Sequence, residues 1–189
     1  MLRTIAMLLV AAVGTAAQVE QTFPHTKKEG RATVEYRHDG LKVVVNYDYS
    51  QRNHNTPWLL IDVAMGSNTR FVLHRNNFSL VTPGGQTIRL ASQEQGAADP
   101  NGINTLIQNA KIHRQNLDGY FPQRTSLETL HFFSLPFDRS ISDEGIVDND
   151  HVTMGPLLFR SLDARWSEGT YRLVLDNDRA KAALPITLN

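Results

Sequence analysis

The chain has 189 residues, and its 19 lysines and arginines against 19 aspartates and glutamates leave a formal charge of zero. That balance lacks the basic excess of nucleic-acid binders, while 41% hydrophobic and 20% charged residues make the composition of a folded globular chain. There is no cysteine, which excludes disulfides, thiol catalysis, iron–sulfur clusters and cysteine-bound zinc.

Residues 1–17 place Arg3 ahead of an apolar stretch from Ile5 to Val13, followed by Gly14, Thr15, Ala16 and Ala17. Charged, apolar and small residues in that order make a secretory signal peptide. The pattern predicts cleavage before Gln18 and a secreted or periplasmic protein. An uncleaved anchor or a buried N-terminal helix is the competing reading, but the apolar stretch is well short of the roughly 20 residues a spanning helix needs. No later apolar run is long enough to cross a bilayer, so no stable membrane span is expected after cleavage. Without Arg3 the chain keeps 18 basic residues (19 − 1) against 19 acidic ones, a formal charge of −1.

Residues 18–30 are polar and read as a flexible lead-in to one β domain over 31–189. Residues 31–38 alternate, Asp39-Gly40 marks a hairpin turn, and 41–49 form the return strand with Leu41, Val43, Val45, Tyr47 and Tyr49 on one face. Residues 50–57 are a polar loop. The nearly unbroken apolar run 58–65 predicts a central strand covered on both faces. Short strands follow at 69–73, 77–82 and 87–91, the last two joined by Pro83-Gly84-Gly85-Gln86.

After a loop over 92–101 the period changes. Ile103, Leu106, Ile107, Ala110, Arg114 and Leu117 recur at helical spacing, which predicts one amphipathic helix at about 102–117, started by Asn101 and ended by Asp118-Gly119. Its apolar stripe suits a lid over one end of the β domain better than a free partner-binding face. Residues 126–135 return to strand pattern, and Pro136 makes that segment an edge or a strand end. Residues 142–151 read as an acidic loop, and 157–163, 170–176 and 184–188 as the last strands. Nine or so short strands with turns between them are the pattern of a β-sandwich with one helical insert.

Residues 58–90 run through an apolar strand, a turn at Asn68 and Phe78-x-Leu80-x-x-x-x-Gly85-x-x-x-x-Leu90. Residues 166–175 read Trp166-x-x-Gly169-x-Tyr171-x-Leu173-x-Leu175. Together these blocks resemble the immunoglobulin-like domains of bacterial exported proteins, and the first also resembles small secreted proteinase-inhibitor-like sandwiches. The resemblance implies an immunoglobulin-like β-sandwich and an exported compartment. It brings no catalytic residue to this chain.

Motifs of chemistry are absent from the sequence. There is no Gly-x-Ser-x-Gly elbow, zinc helix or phosphate loop. The seven histidines, His25, His38, His54, His74, His113, His131 and His151, show no i, i+2 or i, i+4 pairing that would build a metal site on one element. No cofactor is implied apart from calcium, whose preference for oxygen ligands on a flexible loop makes Asp143, Asp148 and Asp150 the candidate metal ligands. The plainer reading of that loop is a solvated acidic turn. Trp58 reads as core. Trp166 either covers one end of the domain or joins Tyr47, Tyr49 and Tyr120-Phe121 in a sugar-stacking platform. These observations point to a non-enzymatic binding module for a protein or glycan partner. The alternatives are a metal-assisted hydrolase or carbohydrate-active enzyme and, third, a proteinase inhibitor.

Overall fold

The computed structural model describes residues 22–112, 115–122, 126–134 and 140–189. The expected signal peptide at 1–17 lies outside the described residues, as do His113 and Pro136. The chain is mainly β, with several sheets and three helices. No helix among the described residues is long and apolar enough to cross a membrane.

The strands in chain order are β1 (Thr26–Lys28), β2 (Thr33–His38), β3 (Leu41–Asn46), β4 (Trp58–Ser67), β5 (Phe71–His74), β6 (Phe78–Val81), β7 (Thr87–Arg89), β8 (Ser126–Thr129), β9 (Glu144–Val147), β10 (His151–Arg160), β11 (Gly169–Asn177) and β12 (Ala180–Leu188). The helices are α1 (Asp48–Arg52), α2 (Gln93–Ala98) and α3 (Pro100–Lys111). A six-stranded sheet runs β1-β2-β3-β4-β10-β8, antiparallel except for the β10–β8 pair. A four-stranded antiparallel sheet runs β12-β11-β6-β7, and β5 with β9 forms a separate two-stranded ribbon.

The two larger sheets share one hydrophobic core, into which β4 sends Leu59, Ile61, Val63 and Met65 and β11 sends Tyr171, Leu173 and Leu175. β4 is buried on both faces, as its apolar run predicts. The reason is a second, smaller cluster on the opposite side of the sheet: Val44, Ala64 and Val152 lie under Leu117 and Phe121. Residues 115–122 strap that outer face. Gln115 Oε1 accepts from the Thr33 hydroxyl at 2.7 Å, and the Lys42 ammonium donates to the Tyr120 carbonyl at 2.6 Å while lying 5.1 Å from the Phe121 ring centre.

Several expected boundaries move. The lead-in contains β1, which pairs with β2 through Lys27↔Glu35 and its neighbours. Its residues are polar, so the backbone ladder alone defines it and periodicity carries no trace of it. The strand expected to reach Tyr49 stops at Asn46, and α1 begins at Asp48. Tyr47 is buried there, and Ser50 Oγ donates to the Leu60 carbonyl and accepts its N–H, each at 2.8 Å. The expected loop over 92–101 holds α2, whose Ser92 and Gln95 side chains cap each other's backbone N–H. The expected helix is shorter: α3 is capped by Asp99 rather than Asn101, has Pro100 in its first turn, and ends at Lys111. Its buried stripe of Ile103, Leu106, Ile107 and Ala110 makes it a covering element, whereas Leu117 is buried on the far side of the large sheet. Finally, half of the acidic loop is strand. β9 occupies Glu144–Val147, β10 starts at His151, and only 148–150 connects them.

β8 is an edge strand, as expected, and the chain after it packs tightly. Leu130 lies over two glycines: a Cβ at Gly155 would sit 2.8 Å from the Leu130 carbonyl oxygen, and one at Gly145 would collide with the end of its side chain.

Candidate functional site

The residues singled out from sequence do not form one site. Asp143 precedes β9 and Asp148 follows it, and a four-residue strand at about 3.3 Å per residue separates them by well over 10 Å. Asp143 instead holds the Arg75 guanidinium, its Oδ1 accepting from Nε at 2.6 Å. Asp148 is a turn former. Its Oδ1 accepts the backbone N–H groups of Asp150 at 2.9 Å and His151 at 3.0 Å, and His151 Nδ1 lies 3.0 Å from the same oxygen. Asp150 is exposed. Among the described residues no three His, Cys, Asp or Glu side chains gather into a group that could hold a metal ion.

Burial acts to raise the Asp148 pKa. The His151 ring and the backbone amides of His151 and Asp150 stabilise the charged form, and the net result lies below the usual carboxylate value. A carboxylate with a lowered folded-state pKa stabilises the fold above its unfolded pKa, about 4, and loses that contribution as pH falls through the folded value. Asp148→Asn keeps a turn-capping oxygen but loses the charge. Urea unfolding of the variant should show a deficit of about 1 kcal/mol at neutral pH that narrows as the pH falls below the ordinary carboxylate range. A deficit independent of pH would show that the charge is not its source.

The aromatic platform does not form either. Trp166 is 4% exposed and packs edge-on against Tyr171 at 5.8 Å, so it covers one end of the core. Tyr47 and Phe121 are buried too, while Tyr49 and Tyr120 pack on separate clusters.

The structure instead builds a polar cleft of about 460 Å³ where β5 and the 3-10 turn Arg75–Asn77 meet the β11–β12 turn. Its floor is a pair of asparagines. Asn77 Nδ2 donates to the Asp176 carbonyl at 2.8 Å, and Asn77 Oδ1 accepts from the His74 N–H at 2.8 Å and from Asn177 Nδ2 at 3.1 Å. Asn177 Nδ2 also donates to the Val72 carbonyl at 2.9 Å, and its Oδ1 accepts the Arg179 N–H at 2.9 Å. Every amide atom of the pair is engaged, so the floor is fixed from both sides.

Charged side chains rise from that floor. Lys181 pairs with Asp176 at 2.9 Å and His74 faces Glu144 at 3.5 Å. Arg70 and Arg179 also line the cleft, are exposed, and make no side-chain ion pair with any described residue, while exposed Asp178 adds to the negative field around Lys181. Behind the turn, Arg75 points away into the protein. Its guanidinium lies 5.5 Å from the Phe132 ring centre and 4.7 Å from that of Phe133, and Nη1 donates to the Ala91 carbonyl at 2.7 Å. Comparison with family models, with curated protein sequences and with solved structures returns no match. The cleft is therefore read from its own chemistry.

What it offers is recognition. Two guanidiniums without internal partners are planar, fork-shaped donors suited to carboxylate, sulfate or phosphate groups. Sequence reasoning missed the site because Arg70 and Arg179 are far apart in the chain and each lies beside an ordinary turn. The local signal is Asn177-Asp178, a turn pair between the last two expected strands.

Proposed function

We propose that this chain is an exported, immunoglobulin-like binding module that acts without catalysis and recognises its ligand in the cleft between β5 and the β11–β12 turn. The cleft itself carries the reading: a fixed asparagine floor bearing two guanidiniums that the fold does not use. Turns at the end of a rigid β scaffold are where such modules present recognition residues. Export is supported by the charged, apolar and small-residue order of residues 1–17.

The test is a set of ¹H–¹⁵N spectra of the chain titrated with panels of saccharides and peptides, alongside a broad hydrolase screen. The expected result is shifts confined to residues 70–77 and 176–181, with no turnover. Shifts confined to another surface, or sustained turnover of any substrate, would overturn the proposal.

A further inference from the structure

We infer that the cleft takes an acidic saccharide, a carbohydrate bearing carboxylate or sulfate groups. The inference rests on the binding-module reading above and supplies its ligand class.

Charge comes first. Lys181 cancels Asp176 within the fold, and His74 faces Glu144. The lining then carries Arg70, Arg179 and Lys181 against Asp176 and Asp178, and Glu144 beside His74 adds a negative charge at the rim, so the attraction for an anion lies in the two exposed guanidiniums and not in a net positive field. An anionic group on the ligand completes the two guanidiniums, which bind oxyanions through paired N–H donors.

Asp178 then narrows the class. A bare anion would gain nothing from a carboxylate beside its site. A sugar ring carries hydroxyl donors as well as an acidic group, and Asp178 can accept from those hydroxyls while the arginines hold the anion. The floor supports this division of labour. The amides of Asn77 and Asn177 are spent on the backbone, so ligand contacts fall to the charged side chains above them.

The walls argue against an acidic peptide. Arginine clusters also read acidic peptides, but such a partner gains further affinity from pockets that bury its apolar side chains. Here Phe71 is buried, and Val72, 45% exposed, is the apolar side chain the cleft presents. The cleft volume of about 460 Å³ falls within the roughly 300–1,000 Å³ typical of small-ligand sites. With no aromatic side chain exposed on its walls to stack on a sugar ring, binding rests on charge and hydrogen bonds, so added salt weakens it.

The experiment measures binding of the full chain to a heparin octasaccharide, a polygalacturonate fragment, neutral dextran and polyglutamate, with wild type and the Arg70→Glu/Arg179→Glu double variant. The expected result is binding of at least one acidic saccharide and not dextran, weakened by salt and by at least about tenfold in the double variant. A thermal melt of the variant matching wild type shows that the loss is not unfolding, and Asp178→Ala, which removes the hydroxyl acceptor, should weaken saccharide binding although it also removes a negative charge. Saccharide binding untouched by the charge reversal, or tightened by Asp178→Ala, overturns the inference. Polyglutamate bound in place of the saccharides, with the same arginine dependence, overturns the ligand class and leaves the cleft as the site. Failure of all four probes to bind through the two arginines overturns the class, and the spectral titration then decides the cleft separately.

Discussion

Phe132→Ala is expected to destabilise the protein by about 3–5 kcal/mol, the usual cost of emptying a large buried aromatic site. Phe132 is 0% exposed, packs edge-on to Phe78 at 6.3 Å, and its carbonyl accepts from Gln93 Nε2 at 2.7 Å. Its ring is also one of the two beside Arg75. Truncation therefore leaves a cavity and takes a partner from a guanidinium whose Nη2 is already buried without a hydrogen bond. Chemical denaturation measures the loss, and Phe132→Leu, which refills most of the volume, should recover a large part of it. Because Arg75 begins the turn that carries Asn77, a stability change under about 1 kcal/mol would mean that this side of the cleft is held by its asparagines alone.

Asp99→Ala should cost about 2–4 kcal/mol, because one carboxylate does two tasks. Oδ1 accepts the Gly102 N–H at 3.0 Å and caps α3, while Oδ2 accepts from the Trp58 indole at 2.8 Å. Trp58 is buried at the start of β4, with the Arg160 guanidinium 5.6 Å from its ring. The single side chain thus ties the covering helix to the central strand. Asp99→Asn separates the tasks. Its amide oxygen can still cap the helix, but its NH₂ then faces another donor, and a buried indole N–H is left unmatched. In a Trp58→Phe background that mismatch disappears, so Asp99→Asn should become nearly neutral. Equal effects of Asp99→Asn in both backgrounds would remove the indole bond from the account.

The residues that were legible from sequence are those whose partners are close in the chain or whose pattern repeats. The alternation of Tyr171, Leu173 and Leu175, the β2–β3 hairpin at Asp39-Gly40, and the stripe from Ile103 to Ala110 each reappear as expected. Gly40 has φ +77° and Asp39 φ +48°, the left-handed backbone that the turn pair supplies at low cost. Two further local signals stand in the sequence. Ser92-Gln93-Glu94-Gln95 is a capping-box pattern at the head of α2, and Asp99-Pro100 is a cap followed by a first-turn proline at the head of α3.

Other features had no local signature. β9 reads as an acidic loop because its alternation is brief and only Val147 is buried; it is a strand because β5 lies beside it, pairing Val72 with Ile146. Leu117 and Phe121 continue an apolar rhythm that looks helical, yet they cover the opposite face of the sheet from α3. Periodicity reports that a residue is buried, not which surface buries it.

The sequence by itself determined the β character, the two-sided burial of β4 and the covering role of α3, because hydrophobic spacing encodes burial within one element. It also excluded thiol and disulfide chemistry, since the chain has no cysteine. The tertiary structure alone decided the cleft. Arg70 and Arg179 line one cleft because Asn77 and Asn177 bind each other and the backbones of Asp176 and Val72, across sequence separations of roughly a hundred residues. It also dispersed the acidic residues that sequence had grouped, because a strand formed between Asp143 and Asp148 and extended chain separates what a loop could have gathered.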